Sequence, residues 1–140
     1  MADEMALLVA DIYELAGLLR RSGEALAARE GQTQARWQLL SVISDEALTV
    51  PQAARRLGVT RQAVQRVANE LVSEGLVDLR DNPDHQTSSL LSLTDHGRGV
   101  LTRIGKLAAV ENRRLLHAVG ADVVRSTHRG VRTLAAALKV

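Results

Sequence analysis

The sequence predicts a mainly α fold with one small β-wing: a winged helix-turn-helix region flanked by long N- and C-terminal helices. Three observations predict it. Apolar residues recur at helical spacing over long stretches at both ends of the chain. Two short helical patterns meet at Gly58, and two short strand patterns follow around a cluster of turn formers. At 140 residues and 46% hydrophobic composition, the chain has the length and the apolar content for a single domain with its own core.

The elements follow in order. A long amphipathic helix fits residues 4–29, where Leu7, Leu8, Ile12, Leu15, Leu18, Leu19 and Leu26 return at helical spacing, and Gly31-Gln32 breaks it. A second helix fits 34–44, with Trp37, Leu40 and Ile43 on one stripe. Thr49 can cap the next helix, and Pro51 is tolerated in a first turn whose amides lack helical partners anyway. That helix ends at Gly58, where the chain must turn sharply, and Thr60 caps the one after it. Ala54 is small where the two helices cross, and Val64 and Val67 face inward from the second.

The helix from about 61 to 74 has two unlike faces. Val64, Val67, Ala68, Leu71 and Val72 form an apolar stripe, while Arg61, Gln62, Gln65, Arg66 and Asn69 occupy the other side. After Gly75, residues 76–80 and 88–93 read as strands, with the turn-rich Asp81-Asn-Pro-Asp-His85 between them. A hairpin directly after a helix-turn-helix is a wing. Thr94 caps a long helix to about 118, and Gly120 separates it from a last helix at 121–138. Residues 34–93 therefore form the nucleic-acid-binding region, and residues 1–30 plus 94–140 a helical one.

Charge is distributed more tellingly than its net value of +2. Residues 1–30 hold six acids against three arginines, whereas residues 94–140 hold nine basic residues against three acids. Between Glu46 and Glu70 lie Arg55, Arg56, Arg61 and Arg66 with no acid at all, a local field that recruits phosphate. The absence of cysteine excludes disulfides and thiolate metal sites. The acidic start and the lack of a long apolar run predict no signal peptide, no membrane span and a cytoplasmic location. None of His85, His96, His117 and His128 pairs with another ligand at same-face spacing, so no metal is expected. Without a phosphate loop, a nucleophile motif or a poised carboxylate pair, neither catalysis nor a cofactor is expected.

Leu57-Gly-Val-Thr-Arg-Gln-Ala-Val-Gln-Arg66, Leu71-Val-Ser-Glu-Gly-Leu-Val77 and Leu93-Thr-Asp-His-Gly-Arg98 stand in an order and spacing that resembles the MarR family of winged-helix transcriptional regulators. The resemblance spans nearly the whole chain. It implies a homodimer formed through the terminal helices, here Leu7, Leu8, Ile12 and Leu15 with Leu115, Leu116, Val119, Val124, Val131 and Leu138. It also implies a roughly palindromic operator with half-sites about one helical turn apart. A small-molecule effector would sit between the dimer helices and the winged region, where Tyr13, Trp37 and His96 are the polar-tipped candidates. Read structurally instead, Trp37 is a core anchor, Tyr13 a half-buried helix residue and His96 a solvated one.

The residues themselves supply the chemistry for double-stranded DNA. Arginine can donate two hydrogen bonds to guanine, and glutamine or asparagine can pair with adenine. Arg61, Gln62, Gln65, Arg66 and Asn69 offer those groups on one face, and Thr60 with the free first-turn amides offers a phosphate site. At least one of Arg55 and Arg56, on the preceding helix, suits a backbone contact or a surface ion pair rather than a base contact. The family's wing carries arginine for the minor groove, but here the loop reads His85-Gln86-Thr87-Ser88. His85 or Gln86 would then enter the groove with a smaller electrostatic gain, and Arg80 at the wing base would grip a phosphate or pair with Asp78 or Asp81. That departure and the modest net charge leave two alternatives to a repressor: a winged-helix module that binds protein, and a small-molecule carrier.

Overall fold

The computed structural model describes residues 3–139, excepting the side chains of His85 and Gln86. Its elements are α1 (Glu4–Ala28), α2 (Gln34–Val42), α3 (Val50–Leu57), α4 (Arg61–Ser73), β1 (Val77–Asn82), β2 (His85–Leu93), α5 (Asp95–Val119) and α6 (Ala121–Leu138). They form two compact units, Met1–Gly105 and Lys106–Val140, with the boundary inside α5. No described helix is long and apolar enough to cross a membrane.

Threonine hydroxyls set most of the helix starts in the first unit. Thr33 accepts from the Arg36 amide at 3.1 Å, Thr60 from Ala63 at 3.1 Å and Thr94 from Gly97 at 3.0 Å. Thr49 does more: its hydroxyl accepts from the Gln52 amide at 3.3 Å while the Gln52 side chain accepts from the Thr49 amide at 2.9 Å. Two otherwise orphaned donors are thus satisfied at the entry to α3. At its exit Gly58 adopts φ +69, a left-handed conformation that a side chain would strain, so α3 stops and α4 leaves in a new direction.

The core lies between α2, α3, α4, the root of the wing and the first half of α5. Leu39, Leu40, Leu71, Val77, Leu91 and Ile104 are wholly buried there, and Ala53 and Ala54 let α3 approach its neighbours closely. Trp37 packs at the edge of this aliphatic cluster. Across α2 and α4, Arg36 pairs with Glu70 at 3.0 Å and with Glu74 at 2.6 Å. The Glu74 hydrogen bond, reinforced by that of Glu70, holds the guanidinium above its ordinary range although burial acts against it.

β1 and β2 are antiparallel, pairing Val77 with Leu93, Leu79 with Leu91 and Asn82 with His85, and the register shifts between Arg80 and Asn82. The strands run further than the sequence predicts, and the loop shrinks to Pro83-Asp84. The reason is local: Asn82 accepts from the Asp84 amide at 3.1 Å and closes the turn early. Leu48 forms an isolated bridge to the two-stranded sheet, exchanging backbone bonds with Leu91 at 2.7 and 3.3 Å and tying the wing to the α2–α3 connection.

Ser92, in β2 opposite Asp78, is buried, and its Oγ is the one buried side-chain polar atom among the described residues that lacks a partner. Ser92→Ala is expected to raise stability by about 1 kcal/mol, because the alanine leaves no desolvated hydroxyl behind. Urea unfolding reads this as a higher midpoint at unchanged slope. A lower midpoint would show that the hydroxyl is satisfied in solution.

The second unit has no buried side chain in α6, and Gly120, at φ +92, joins that helix to α5. Its ion pairs are short-range ones within each helix, Arg114 with Glu111 and Arg125 with Asp122. The Arg114 hydrogen bond holds the Glu111 carboxyl below its usual range.

Candidate nucleic-acid interface

At 3.6 residues per turn, Val64, Val67, Ala68 and Leu71 fall on one side of α4, and all four are buried. The opposite side presents Arg61, Gln62, Gln65, Arg66 and Asn69, and all five are exposed. No part of the described chain covers this strip. Within it, the Gln65 amide nitrogen donates to the Asn69 side-chain oxygen at 2.9 Å, holding two base-reading groups in one arrangement. Thr60 is exposed at the head of the helix, where the first-turn amides point outward with the positive end of the helix dipole.

Electrostatics leave these arginines available. Arg66 stands one turn before Glu70, where an i,i+4 pair is possible, but Glu70 is engaged by Arg36. Among the described residues, none of the five ion pairs involves Arg55, Arg56, Arg61, Arg66 or Arg80. The pairing of Arg80 with Asp78 or Asp81 allowed by the sequence does not form. Arg80 lies opposite Leu90, on the other sheet face from Leu79 and Leu91, and is exposed. The side chains of His85 and Gln86 fall outside the described residues.

Two concavities flank the strip. One, of about 460 Å³, separates α4 from the wing and is lined by Arg61, Gln65, Pro51, Leu79, Thr87 and Ser89 among others. The other, of about 390 Å³, lies between α1, α2 and the α3–α4 turn, with Arg20, Gln34, Gln38, Leu39, Val59 and Arg66 in its wall. The sequence signalled neither, because both arise where distant elements cross. Arg55 borders a third, shallower hollow with Leu48 and Gln52.

Tyr13, Trp37 and His96 line none of these cavities. Trp37 instead faces α1 and the core, with its ring 3.6 Å from where a Cβ on Gly23 would stand. Tyr13 is 73% exposed rather than half-buried, since residues 3–15 of the chain are exposed all round the helix. His96 is exposed in the first turn of α5. No three acidic or histidine side chains gather as a metal site among the described residues.

Comparison with known proteins agrees with this architecture. The family model described as MarR family matches residues 31–86, which run from before α2 to the first residues of β2. The uncharacterized protein Rv2011c of Mycobacterium tuberculosis is 66% identical over 139 residues, 99% of this chain and 97% of that one. A MarR family transcriptional regulator of Streptomyces coelicolor superposes with a TM-score of 0.84 at 25% identity, covering 99% of this chain and 97% of the other. PcaV, a transcriptional regulator of the same organism solved with its natural ligand, gives a TM-score of 0.75 at 27% identity over 99% of both chains. By the family match over its helix-turn-helix and wing, and by its whole-length likeness to these regulators, the chain belongs to the MarR family of DNA-binding, winged helix-turn-helix transcriptional regulators.

Proposed function

We propose that the chain acts in the cytoplasm as a homodimeric repressor that binds a roughly palindromic operator, one α4 helix in each of two successive major grooves. The observation that carries this reading is the exposed, ion-pair-free strip from Arg61 to Asn69. In it Arg66 and Gln65 read base edges together with Gln62 and Asn69. Thr60, Arg61 and Arg55 hold phosphates, and Arg80, His85 and Gln86 contribute from the wing. Residues 1–30 and 94–140 form the dimerisation region.

Two observations support pairing through those ends. Leu7, Leu8, Ile12, Leu15, Leu115, Leu116, Val119, Val124, Val131 and Leu138 are each 38–87% exposed in the single chain. The acidic first 30 residues and the basic last 47 also carry opposite charge.

An effector that ends repression fits the cavity of about 390 Å³ better than it fits Tyr13, Trp37 and His96. Arg66 belongs to both that cavity and the base-reading strip. A ligand held there competes with DNA for the same guanidinium.

The test is selection of bound fragments from a genomic pool, followed by titration of the recovered duplex. Arg66→Ala is expected to weaken it roughly 5- to 150-fold, the value of a bidentate base contact, and to relax preference at one base pair of each half-site. Arg61→Ala is expected to weaken all sequences alike. Unchanged affinity in both variants, with circular dichroism showing native folding, would remove α4 from the interface.

A further inference from the structure

The wing has no lysine or arginine between Arg80 and Arg98, while Asp81 and Asp84 put negative charge near its tip. A duplex therefore finds no arginine or lysine at the end of this hairpin. The root of the hairpin is different. Strand alternation places Thr87, Ser89 and Leu91 on one face, and the register adds Leu79 opposite Leu91. That face is the wall of the cleft of about 460 Å³ whose other wall is α4.

The cleft's chemistry is selective. No acid lines it, and its one charged group is Arg61. Thr87 and Ser89 are exposed, and neither forms a side-chain hydrogen bond within the described residues. Their Cα atoms are two strand residues apart, roughly 7 Å, which is of the order of the distance between neighbouring phosphates on one DNA strand. Between them and α4 lies apolar surface from Pro51 and Leu79, the latter 58% exposed. An anionic chain with apolar linking units matches each of these features. It would lie directly beside the base-reading strip, which begins at the same Arg61.

We propose that this cleft seats one sugar–phosphate strand of the bound duplex in a largely uncharged grip. The Thr87 and Ser89 hydroxyls donate to phosphate oxygens, Arg61 supplies the single cation, and Leu79 packs against deoxyribose carbons. The inference rests on the DNA-binding reading and adds to it how the wing holds without arginine. It has a signature that ordinary phosphate contacts lack. A hydroxyl bonded to phosphate displaces no counterion, so it adds affinity without adding to the salt dependence.

The experiment is a fluorescence-anisotropy titration over a salt series, using the selected operator duplex and a scrambled duplex of equal length. The double variant Thr87→Val/Ser89→Ala is expected to lose roughly 100-fold or more in affinity for both duplexes, the value of two hydrogen bonds to charged oxygens. Its log–log salt slope should match that of the wild type, whereas Arg61→Ala, which removes one phosphate contact from each subunit of the dimer, should lower the slope by about 2. Thr87→Arg, which places a cation on the same wall in each subunit, should bind more tightly and steepen the slope by about 2. Thermal melts of all variants establish that each is folded, and Thr87→Arg carries the test alone if the double variant is not. Wild-type affinity in the double variant, a changed slope in it, or indifference of Thr87→Arg would overturn the proposal while leaving DNA binding intact. Failure of the wild type to bind either duplex would instead overturn the DNA-binding reading, and the cleft assignment with it.

Discussion

Gly97→Ala is expected to unfold the protein or to lower its stability by about 4 kcal/mol or more, a loss comparable with the whole stability of many domains. A Cβ at this position would stand 2.0 Å from the Leu76 carbonyl oxygen and 3.0 Å from its carbon. The obstacle is backbone rather than a side chain that can swing away. It is also fixed from several directions: the Leu76 oxygen accepts from the Thr94 amide at 3.1 Å, and the Leu76 amide donates to Leu71 at 2.9 Å. The Thr94 hydroxyl donates to the Gly75 carbonyl at 2.7 Å while accepting from the Gly97 amide. Making room means lifting the first turn of α5 from the α4–β1 junction, which breaks this set of bonds and opens the core at Leu76 and Val100, both buried. Gly105→Ala is the control. It lies in the same helix with nothing within 4 Å of its Cβ direction, so it should gain about 1 kcal/mol from helix propensity. Chemical denaturation of the two variants side by side checks the contrast. Equal midpoints would mean that the close approach of α5 to Leu76 does not exist in solution.

The same junction shows what a sequence can and cannot reveal. Leu93-Thr-Asp-His-Gly-Arg98 is legible as a motif, and Thr94 as a cap, because a cap is chemistry between residues three apart. That Gly97 must lack a side chain depends on Leu76, 21 positions away, and is visible only once the two are packed. The same division runs through the interface. Thr49, Gly58 and Thr60 mark the helix-turn-helix from local chemistry alone, and helical periodicity separates Arg66 from Val67. By contrast, the freedom of Arg66 depends on Arg36 occupying Glu70 from another helix, at a sequence separation of 34. The Leu48–Leu91 bridge is equally non-local. Polar-tipped aromatics such as Tyr13, Trp37 and His96 are what a sequence displays as effector candidates. The cavity formed by crossing helices is instead lined by Arg20, Gln34 and Gln38, which look like ordinary surface residues when read one at a time.

Charged substitutions on the terminal helices should have the second large effect, on assembly rather than folding. Ile12 on α1 and Val131 on α6 are 38% and 49% exposed in the single chain, so glutamate at either position meets water and costs the isolated subunit little. In a twofold dimer every substitution appears twice. Two unpaired carboxylates buried in an apolar seam cost several kcal/mol each, enough to dissociate an interface of ordinary size. Sedimentation at micromolar concentration is therefore expected to find a dimeric wild type and monomeric Ile12→Glu and Val131→Glu, with unchanged helical content. Operator affinity should fall with assembly. A monomer loses the second half-site and with it an avidity of about 100- to 10,000-fold, while its affinity for an isolated half-site stays the same. This pattern separates assembly from readout, because Arg66→Ala should leave the dimer intact and weaken each half-site. A monomeric wild type, or dimers that persist in both variants, would show that the exposed apolar faces of α1 and α6 do not hold the subunits together.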